Sequence, residues 1–491
     1  MSENITTGNF PSQVSKISQN TLALLVGQIT VQLSGMLLGI LIARILGDVG
    51  YGQYTLSFAF VGVFSLVFTM GVDYLVVRDI AQSPETSINV VGGAMWLRLI
   101  GFPLVLIMTA VTSWILGYQQ DQRYLIFIAS IALGLSAIAD LPRSFFRGIQ
   151  RMQLDASNRI IEKICTLILA GLCLWFTRRL DLVIIAMGIS AFIAMTIGSV
   201  IAKHFLGSLH IGNPKEGIKL LKRSAPLATS LALVIIYTNL PTVFLSQIRD
   251  IREVGIYSAA YTIVVSLNFI PQALGSALLP VMSILAISEK TRLNRTHNTI
   301  LSYLTIISLP MTAFIILFGK EMILYIYGSS FVEAVPALMI LALSIPFVLW
   351  SLYLNNFLIA VGSQHFVLIG SIVFFFATLV FNLYLVPIFG FIGTAISYVI
   401  VYGFALATLV YFTSRWVTHK LEQKVIGSVM GTIVMVIVVL AFRTQVIWIR
   451  LPLCITAFIL GFIATSGMKI SEIKSIMRSL FNINVTKNNS L

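Results

Sequence analysis

From residue 20 to residue 467 the sequence is a succession of apolar segments, each closed by a short polar or Pro/Gly-bearing turn. The segments fall at 20–43, 53–78, 90–117, 123–141, 154–177, 181–204, 225–247, 254–285, 298–318, 334–360, 366–386, 392–412, 425–442 and 450–467. A helix needs ~20 apolar residues to cross the hydrocarbon of a bilayer, so this pattern predicts fourteen transmembrane helices. Composition agrees: 58% of 491 residues, about 285 positions, are apolar, enough for at most about fourteen such spans. Charged residues are 10% of the chain and mean hydropathy is +0.95, whereas soluble proteins carry ~25% charged residues. A soluble enzyme, a disulfide scaffold and a disordered chain are excluded. The fold class expected is an all-α polytopic membrane protein.

The net charge of +14 reads as a topology signal rather than a nucleic-acid footprint, and no nucleic-acid partner is expected. The N-terminal segment, the even-numbered connections and the C-terminal tail hold 20 Lys/Arg, the odd-numbered connections nine, and the spans three. Acidic residues divide seven and seven, so the bias lies in Lys and Arg, as the positive-inside rule requires. Both termini are expected on the cytoplasmic side. Cys165, Cys173 and Cys454 all sit in apolar runs and form no disulfide or zinc pattern. The Asn-x-Thr sequons at Asn4, Asn294 and Asn484 map to the cytoplasmic side and carry no weight.

Short repeats organise the chain. Gly52-Gln53-Tyr54-Thr55-Leu56-Ser57 resembles Gly255-Ile256-Tyr257-Ser258-Ala259-Ala260 at an offset of 203, and Gly148-Ile149-Gln150 resembles Gly362-Ser363-Gln364 at 214. These matches predict two pseudo-symmetric six-helix lobes, 20–204 and 225–412, in the same orientation, as six is an even number. The lobes are joined by an amphipathic cytoplasmic linker over 205–224 and followed by two appended helices within 413–467. Residues 1–19 and 468–491 are expected to be cytoplasmic tails, the second with a surface helix.

Charges inside a membrane are costly and mark functional candidates. Asp73, Arg98, Asp140, Arg159, Glu162 and Lys163 all lie in the first lobe, with Arg78, Arg143 and Arg147 flanking them. One reading is a cationic cavity facing the cytoplasm, because guanidinium forks match phosphate oxygens. The other is that the flanking cations snorkel and the carboxylates pair with them. Arg98, about eight residues inside its span, is too deep for easy snorkelling. Asp73 and Asp140 are open to either an ion-pair or an ion-coupling role. The second lobe offers uncharged groups instead: Asn239, Gln247, Asn268, Gln272, Asn355 and Asn382. They suit inter-helix hydrogen bonds or sugar hydroxyls. No Gly-Lys-Ser/Thr phosphate loop occurs and no histidines fall at ligand spacing, so neither ATP hydrolysis nor a metal site is expected, and the chain is not expected to be an enzyme.

Ala43-Arg44-Ile45-Leu46-Gly47, Tyr51-Gly52-Gln53-Tyr54 and Gly71-Val72-Asp73-Tyr74 with Arg78-Asp79-Ile80-Ala81 resemble the start of a Wzx-type polysaccharide flippase, a family of the multidrug/oligosaccharidyl-lipid/polysaccharide exporter superfamily. Val254-Gly255-Ile256-Tyr257-Ser258-Ala259-Ala260 with Leu279-Pro280-Val281-Met282-Ser283, and Gly390-Phe391-Ile392-Gly393-Thr394-Ala395, are similar to later parts of the same family. The resemblance implies translocation of an undecaprenyl-diphosphate-linked glycan across the lipid bilayer of a bacterial plasma membrane by alternating access. It implies no cofactor beyond H⁺ or Na⁺ as coupling ion, and a polysaccharide polymerase and chain-length machinery as partners. Substrate contacts are then expected at Arg44, Arg98, Arg143, Arg147, Arg159 and Lys163, with Asn239, Asn268 and Gln272 toward sugar, and ion coupling at Asp73 and Asp140. A multidrug cation antiporter of the same fold is the alternative; it calls for an acidic cavity, whereas this one is net basic. A polymerase or ligase ranks third, because the longest outer connection, about 319–333, holds only Lys320, Glu321 and Glu333.

Overall fold

The computed structural model describes residues 10–83, 85, 87–207, 212–268, 271 and 281–466. The regular elements among them are helical: α1 Phe10–Thr69, α2 Asp73–Gln82, α3 Ser87–Ile115, α4 Gln120–Gly148, α5 Met152–Thr177, α6 Leu180–Leu206, α7 Pro214–Ile248, α8 Ile251–Ser266, α9 Lys290–Ile326, α10 Ala334–Ala342, α11 Ile345–Ala360, α12 Gln364–Thr413, α13 Lys424–Ala441 and α14 Ile447–Thr465. Ten described helices are long and apolar enough to cross a membrane, eleven with the bent pair α10–α11.

The difference from fourteen spans has local causes. The first two expected spans run together in α1 and bend at Gly47 (φ 73°, ψ −169°). The eleventh and twelfth run together in α12 and bend at Gly390 (φ 57°, ψ −134°). Positive φ at both points needs glycine, so what reads as a connection in the sequence is a one-residue hinge in the chain. The expected second span is itself broken at Met70 and Gly71, both at positive φ, which leaves Asp73 in the first turn of α2. The tenth bends by 48° between α10 and α11, where Pro346 opens α11. Within the expected eighth span, α8 and residues 281–285 are helical, while residues 269–270 and 272–280 lie outside the described residues.

The linker differs from expectation as well. It is not a separate helix from Pro214 onward: α7 starts there and continues without a break to Ile248. Asn213 caps it by accepting from the Lys215 amide at 3.0 Å, with Pro214 in the first turn, where its missing N–H costs nothing. The expected surface helix beyond 468 lies outside the described residues.

Exposed Trp114 and Trp175 both sit at helix ends joined by odd-numbered connections, where an aromatic belt marks a membrane–water boundary. That side is the odd side below, and its opposite the even side.

The chain divides into two compact units. One comprises Met1–Phe269, Ile323–Leu341 and Val367–Ala405; the other comprises Ile270–Met322, Ala342–Phe366 and Leu406–Leu491. In the first unit a core of Val72, Val76, Ile80, Leu97, Phe145 and Phe146 joins α2, α3 and α4. In the second, Phe318, Met435, Val439 and Cys454 pack α9 against the α13–α14 hairpin.

Candidate functional site

In the first unit the even-side ends of α2 to α5 converge, and their charges form one connected network. Arg98, at 1% exposure, donates from Nη2 to Asp73. Ser144 Oγ donates to the same carboxylate at 3.2 Å. Arg143 spends all three of its nitrogens inside the protein: Nε on Asn158 at 2.7 Å, Nη1 on Asp140 at 3.0 Å and Nη2 on Glu162. Glu162 also accepts from Ser136 at 3.2 Å and Lys163 at 3.1 Å. Asp155 lies between Arg159 Nε at 3.0 Å and Arg147 Nη1 at 3.8 Å, and Arg159 Nη2 stands 3.6 Å from Asp140.

Helical spacing produces this arrangement. Asp155, Arg159, Glu162 and Lys163 recur at intervals of three and four along α5, and Asp140, Arg143 and Arg147 do so along α4, so each set lies along one helix face. Five cations meet four carboxylates, leaving a net charge of +1. Buried charges persist only when paired and hydrogen-bonded, and removing one partner costs about 3–5 kcal/mol.

Exposure separates the cations. Arg143 has a partner on each of its three nitrogens, with its side chain 3% exposed, and ties α4 to α5. Arg98 is equally buried, but its Nε and Nη1 have no hydrogen-bond partner. Arg147, Arg159 and Lys163 are 25–27% exposed. The first two line a cleft of roughly 440 Å³ with Gly27, Gln28, Val31, Gln32, Asp155 and Ala156.

The other expected residues lie apart from this network. Arg44 donates to the backbone carbonyls of Tyr325 and Ile326 at the end of α9, a position where a cation satisfies otherwise unpaired helix-end acceptors. Asn239 donates to Ile235 O within its own helix at 2.8 Å and abuts Gly62 of α1. Asn268 follows the end of α8, and Gln272 lies outside the described residues.

On the odd side of the same unit the α1 bend meets the start of α8. A Cβ on Gly52 would stand 2.1 Å from Ile251 O, and one on Gly255 2.0 Å from Asp48 O. The backbones therefore touch at residues paired by the 203-residue repeat. Ser258 Oγ donates to Thr55 Oγ1 at 3.1 Å across the same offset. Arg252 joins Asp48 and Glu333 at 2.8 Å each, and the two carboxylates raise its already high affinity for the proton. Glu253 accepts from the Phe391 amide at 2.9 Å, and Arg249 donates to Pro387 O at 2.9 Å.

A neutral cluster occupies the second half of the chain within this unit. Tyr237, Tyr257, Tyr261, Tyr398 and Tyr402 surround a small enclosed cavity with Thr378, Asn382 and Ser397. Asn382 donates to Ser397 at 2.9 Å and to Thr378 O at 2.8 Å, while its Oδ1 is buried without a partner. The second unit holds a different chain of contacts: Tyr353 to His297 at 3.0 Å, His297 to His419 at 3.0 Å, and His419 to Val410 O at 3.2 Å.

Sequence reasoning missed Asp155, although it precedes Arg159 by four residues. It also missed the tyrosines, although Tyr257/Tyr261 and Tyr398/Tyr402 repeat the same i,i+4 spacing.

The sequence profile of a family described as polysaccharide biosynthesis protein matches residues 17–286, and that of the MatE family matches 226–388. The capsular polysaccharide biosynthesis protein CapF of Staphylococcus aureus is 23% identical over 372 residues, 74% of this chain and 91% of that protein. A probable low-salt glycan biosynthesis flippase, Agl15 of Haloferax volcanii, is 22% identical over 408 residues, 82% of this chain and 85% of that one. Among solved structures, the lipid II flippase MurJ in an inward closed conformation superposes with a TM-score of 0.71 at 14% identity, over 92% of this chain and 99% of MurJ. An inward-facing multidrug resistance MATE family transporter gives 0.62 at 17% identity, over 80% and 98%. At such identities the two structures speak for the fold.

Proposed function

This chain belongs to the polysaccharide biosynthesis protein family, and from that premise we propose that it is a flippase moving a polyprenyl-diphosphate-linked oligosaccharide from the cytoplasmic to the outer leaflet of a plasma membrane. One observation carries the reading: an otherwise apolar helical protein keeps a network of nine charges, net +1, at the even-side ends of α2 to α5, with two of its arginines open to a cleft. Charged phosphates and sugar hydroxyls cannot cross hydrocarbon unassisted, because each unpaired polar group costs several kcal/mol (~4–8 for transfer to an alkane). A cationic recess supplies the missing partners while the prenyl tail stays in lipid.

Transport needs two states of differing access, since uniform tight binding only traps the headgroup. The Lys/Arg excess assigns the even side to the cytoplasm. The odd-side contacts of Asp48, Arg252, Glu333 and the Gly52–Gly255 crossing then act as the outer closure, which must part when the headgroup leaves. Asp73 and Asp140, each sharing a cation with the network, are assigned the coupling to H⁺ or Na⁺. The partners that fit are the bilayer, the lipid-linked glycan and the enzymes that polymerise the exported unit.

A MATE-like cation antiporter is the second reading, favoured by the profile match over 226–388. Expression in a host lacking its polysaccharide flippase separates the two. Restored surface glycan supports the flippase. Resistance to cationic dyes without restored glycan supports the antiporter and overturns the proposal.

A further inference from the structure

In the second unit the irregular segment 417–422 passes from α12 to α13 along the even-side end of α9. Side chains of α9 spaced by four residues take up alternate amides of this strap. Asn294 Oδ1 accepts from the Thr418 amide at 2.7 Å, Asn298 Oδ1 from Lys420 at 3.0 Å, and Ser302 Oγ from Glu422 at 2.8 Å. Four residues of helix rise about 6 Å and two residues of extended chain about 6.6 Å, so the two repeats stay in step. Among these bonds His297 of α9, at 0% exposure, meets His419 of the strap, Nε2 to Nδ1 at 3.0 Å.

One end of this contact fixes the polarity of the whole chain. Val410 O can only accept, so His419 Nε2, 3.2 Å away, carries a hydrogen. Thr413 donates its own hydroxyl hydrogen to Leu409 O at 2.7 Å and accepts from the same nitrogen at 3.1 Å. A neutral imidazole bears one hydrogen, so His419 Nδ1 is bare and His297 Nε2 donates to it. His297 Nδ1 is bare in turn and accepts from the Tyr353 hydroxyl at 3.0 Å. Each link is filled by one hydrogen. A further one fits only by setting two N–H groups against each other, or by turning the hydroxyl of Tyr353, 3% exposed, away from its acceptor.

We propose that this chain is a one-proton site that works as a latch: a proton taken up by His419 from even-side water forces the His297 contact apart and releases the strap from α9. The proton adds to Nδ1, the bare nitrogen, of the half-buried ring that water reaches, and no covalent bond breaks. Little nearby stabilises the imidazolium. Among the described residues no carboxylate hydrogen-bonds to either ring. On α9 the charged neighbours are Arg292, 4.0 Å from Glu289, and Arg295. α11 contributes Tyr353 and α12 His365, with Arg415 just beyond α12 stacked on Phe366 at 4.9 Å. The strap adds Lys420 and Glu422, and the Glu422 carboxylate is taken by Thr299 and by Lys424 of α13 at 4.0 Å. Burial holds His419 below its ordinary value of 6.5, so the closed strap binds fewer protons than the released one. Closure is complete above pH 6.5 and is lost as pH falls through the lowered value. The latch does not depend on what the protein carries.

The test follows the strap in full-length protein in nanodiscs. Amide hydrogen exchange over 417–424, corrected for the intrinsic effect of pH on exchange, is compared at pH 7.5 and 5.0. The unaltered protein is expected to exchange about tenfold faster at the lower pH, because local opening frees the bonded amides. H419Q keeps a donor for Val410 and an acceptor for His297 but takes up no proton, so its exchange is expected to change by less than about twofold. Unchanged protection in the unaltered protein overturns the proposal. An equal rise in H419Q does so too, since it assigns the titration to another group. Nitrogen NMR of the unaltered protein, labelled at histidine, tests the same chain without a variant. At pH 7.5 His297 and His419 are both expected to be neutral with the hydrogen on Nε2, and a hydrogen on Nδ1 of either overturns the latch.

Discussion

Two polar clusters lie in the same compact unit and are built on opposite chemistry. On the even side of the first half, Arg98, Arg143, Arg147, Arg159 and Lys163 meet Asp73, Asp140, Asp155 and Glu162. Toward the odd side of the second half, five tyrosines, Asn382, Thr378 and Ser397 enclose a cavity with no ionised group. Charges out of water attract strongly but are expensive unless every one is paired. Neutral hydroxyl and amide groups contribute less each, about 0.6 kcal/mol per inter-helix hydrogen bond in membranes, and cost less to strand. The first cluster can therefore hold an anion and be upset by losing one member. The second can tune packing and sugar contacts but cannot hold a diphosphate.

The comparison is most sharply tested at Glu162. Glu162→Gln leaves Arg143 and Lys163 short of a partner in a buried site, and the unfolding free energy in detergent should fall by about 3–5 kcal/mol; a loss under 1 kcal/mol would mean the network is not a coupled unit. Arg98→Ala, at normal expression, is expected to abolish surface polysaccharide and leave lipid-linked units on the cytoplasmic leaflet, whereas undiminished surface polysaccharide would remove Arg98 from the site. Asn382→Leu should be milder, about 1 kcal/mol or less for its bond to Ser397, and a loss as large as that of Glu162→Gln would erase the distinction between the clusters. Smaller still, Glu333→Gln opens a solvent-exposed pair with Arg252 and should cost less than about 1 kcal/mol, fading at high salt; a loss of several kcal/mol would show that the odd-side closure dominates stability.

A pH dependence is expected outside the spans. Burial holds His419 below its ordinary value of 6.5, so at pH values just under 6.5 the unfolded chain binds the proton that the folded chain refuses. The contribution to stability is complete above 6.5 and is lost as pH falls through the lowered value. Thermal unfolding of the unaltered protein and of His419→Asn, compared between pH 7.5 and 5.5, should show a steeper loss on acidification for the former. Parallel profiles would rule this out.

What the sequence made legible was periodic or compositional. The apolar segments map onto the described helices, and Arg98 and Arg159 stood out because arginine is rare inside spans. What it hid depends on distance and on single torsions. Arg98 meets Asp73 across 25 residues, Arg143 meets Glu162 across 19 and Arg252 meets Glu333 across 81, and no helical spacing encodes such pairs. Hence the pairing of Arg143 with Glu162, which ties α4 to α5, left no trace in the sequence pattern. Gly47 and Gly390 looked like parts of loops, because a one-residue break at positive φ leaves no compositional trace. The linker read as separate because its amphipathic pattern stops near residue 224, while the backbone hydrogen bonds of α7 do not.

The central claim, that this protein carries an anionic lipid-linked glycan between leaflets, is tested most directly by transport in reconstituted vesicles. Proteoliposomes loaded with a fluorescent polyprenyl-diphosphate sugar are treated with an impermeant quencher. The account predicts that leaflet exchange is fast with the unaltered protein and falls to the protein-free rate with R147Q/R159Q. Exchange no faster than in protein-free vesicles, in preparations that move a cationic dye, would contradict it.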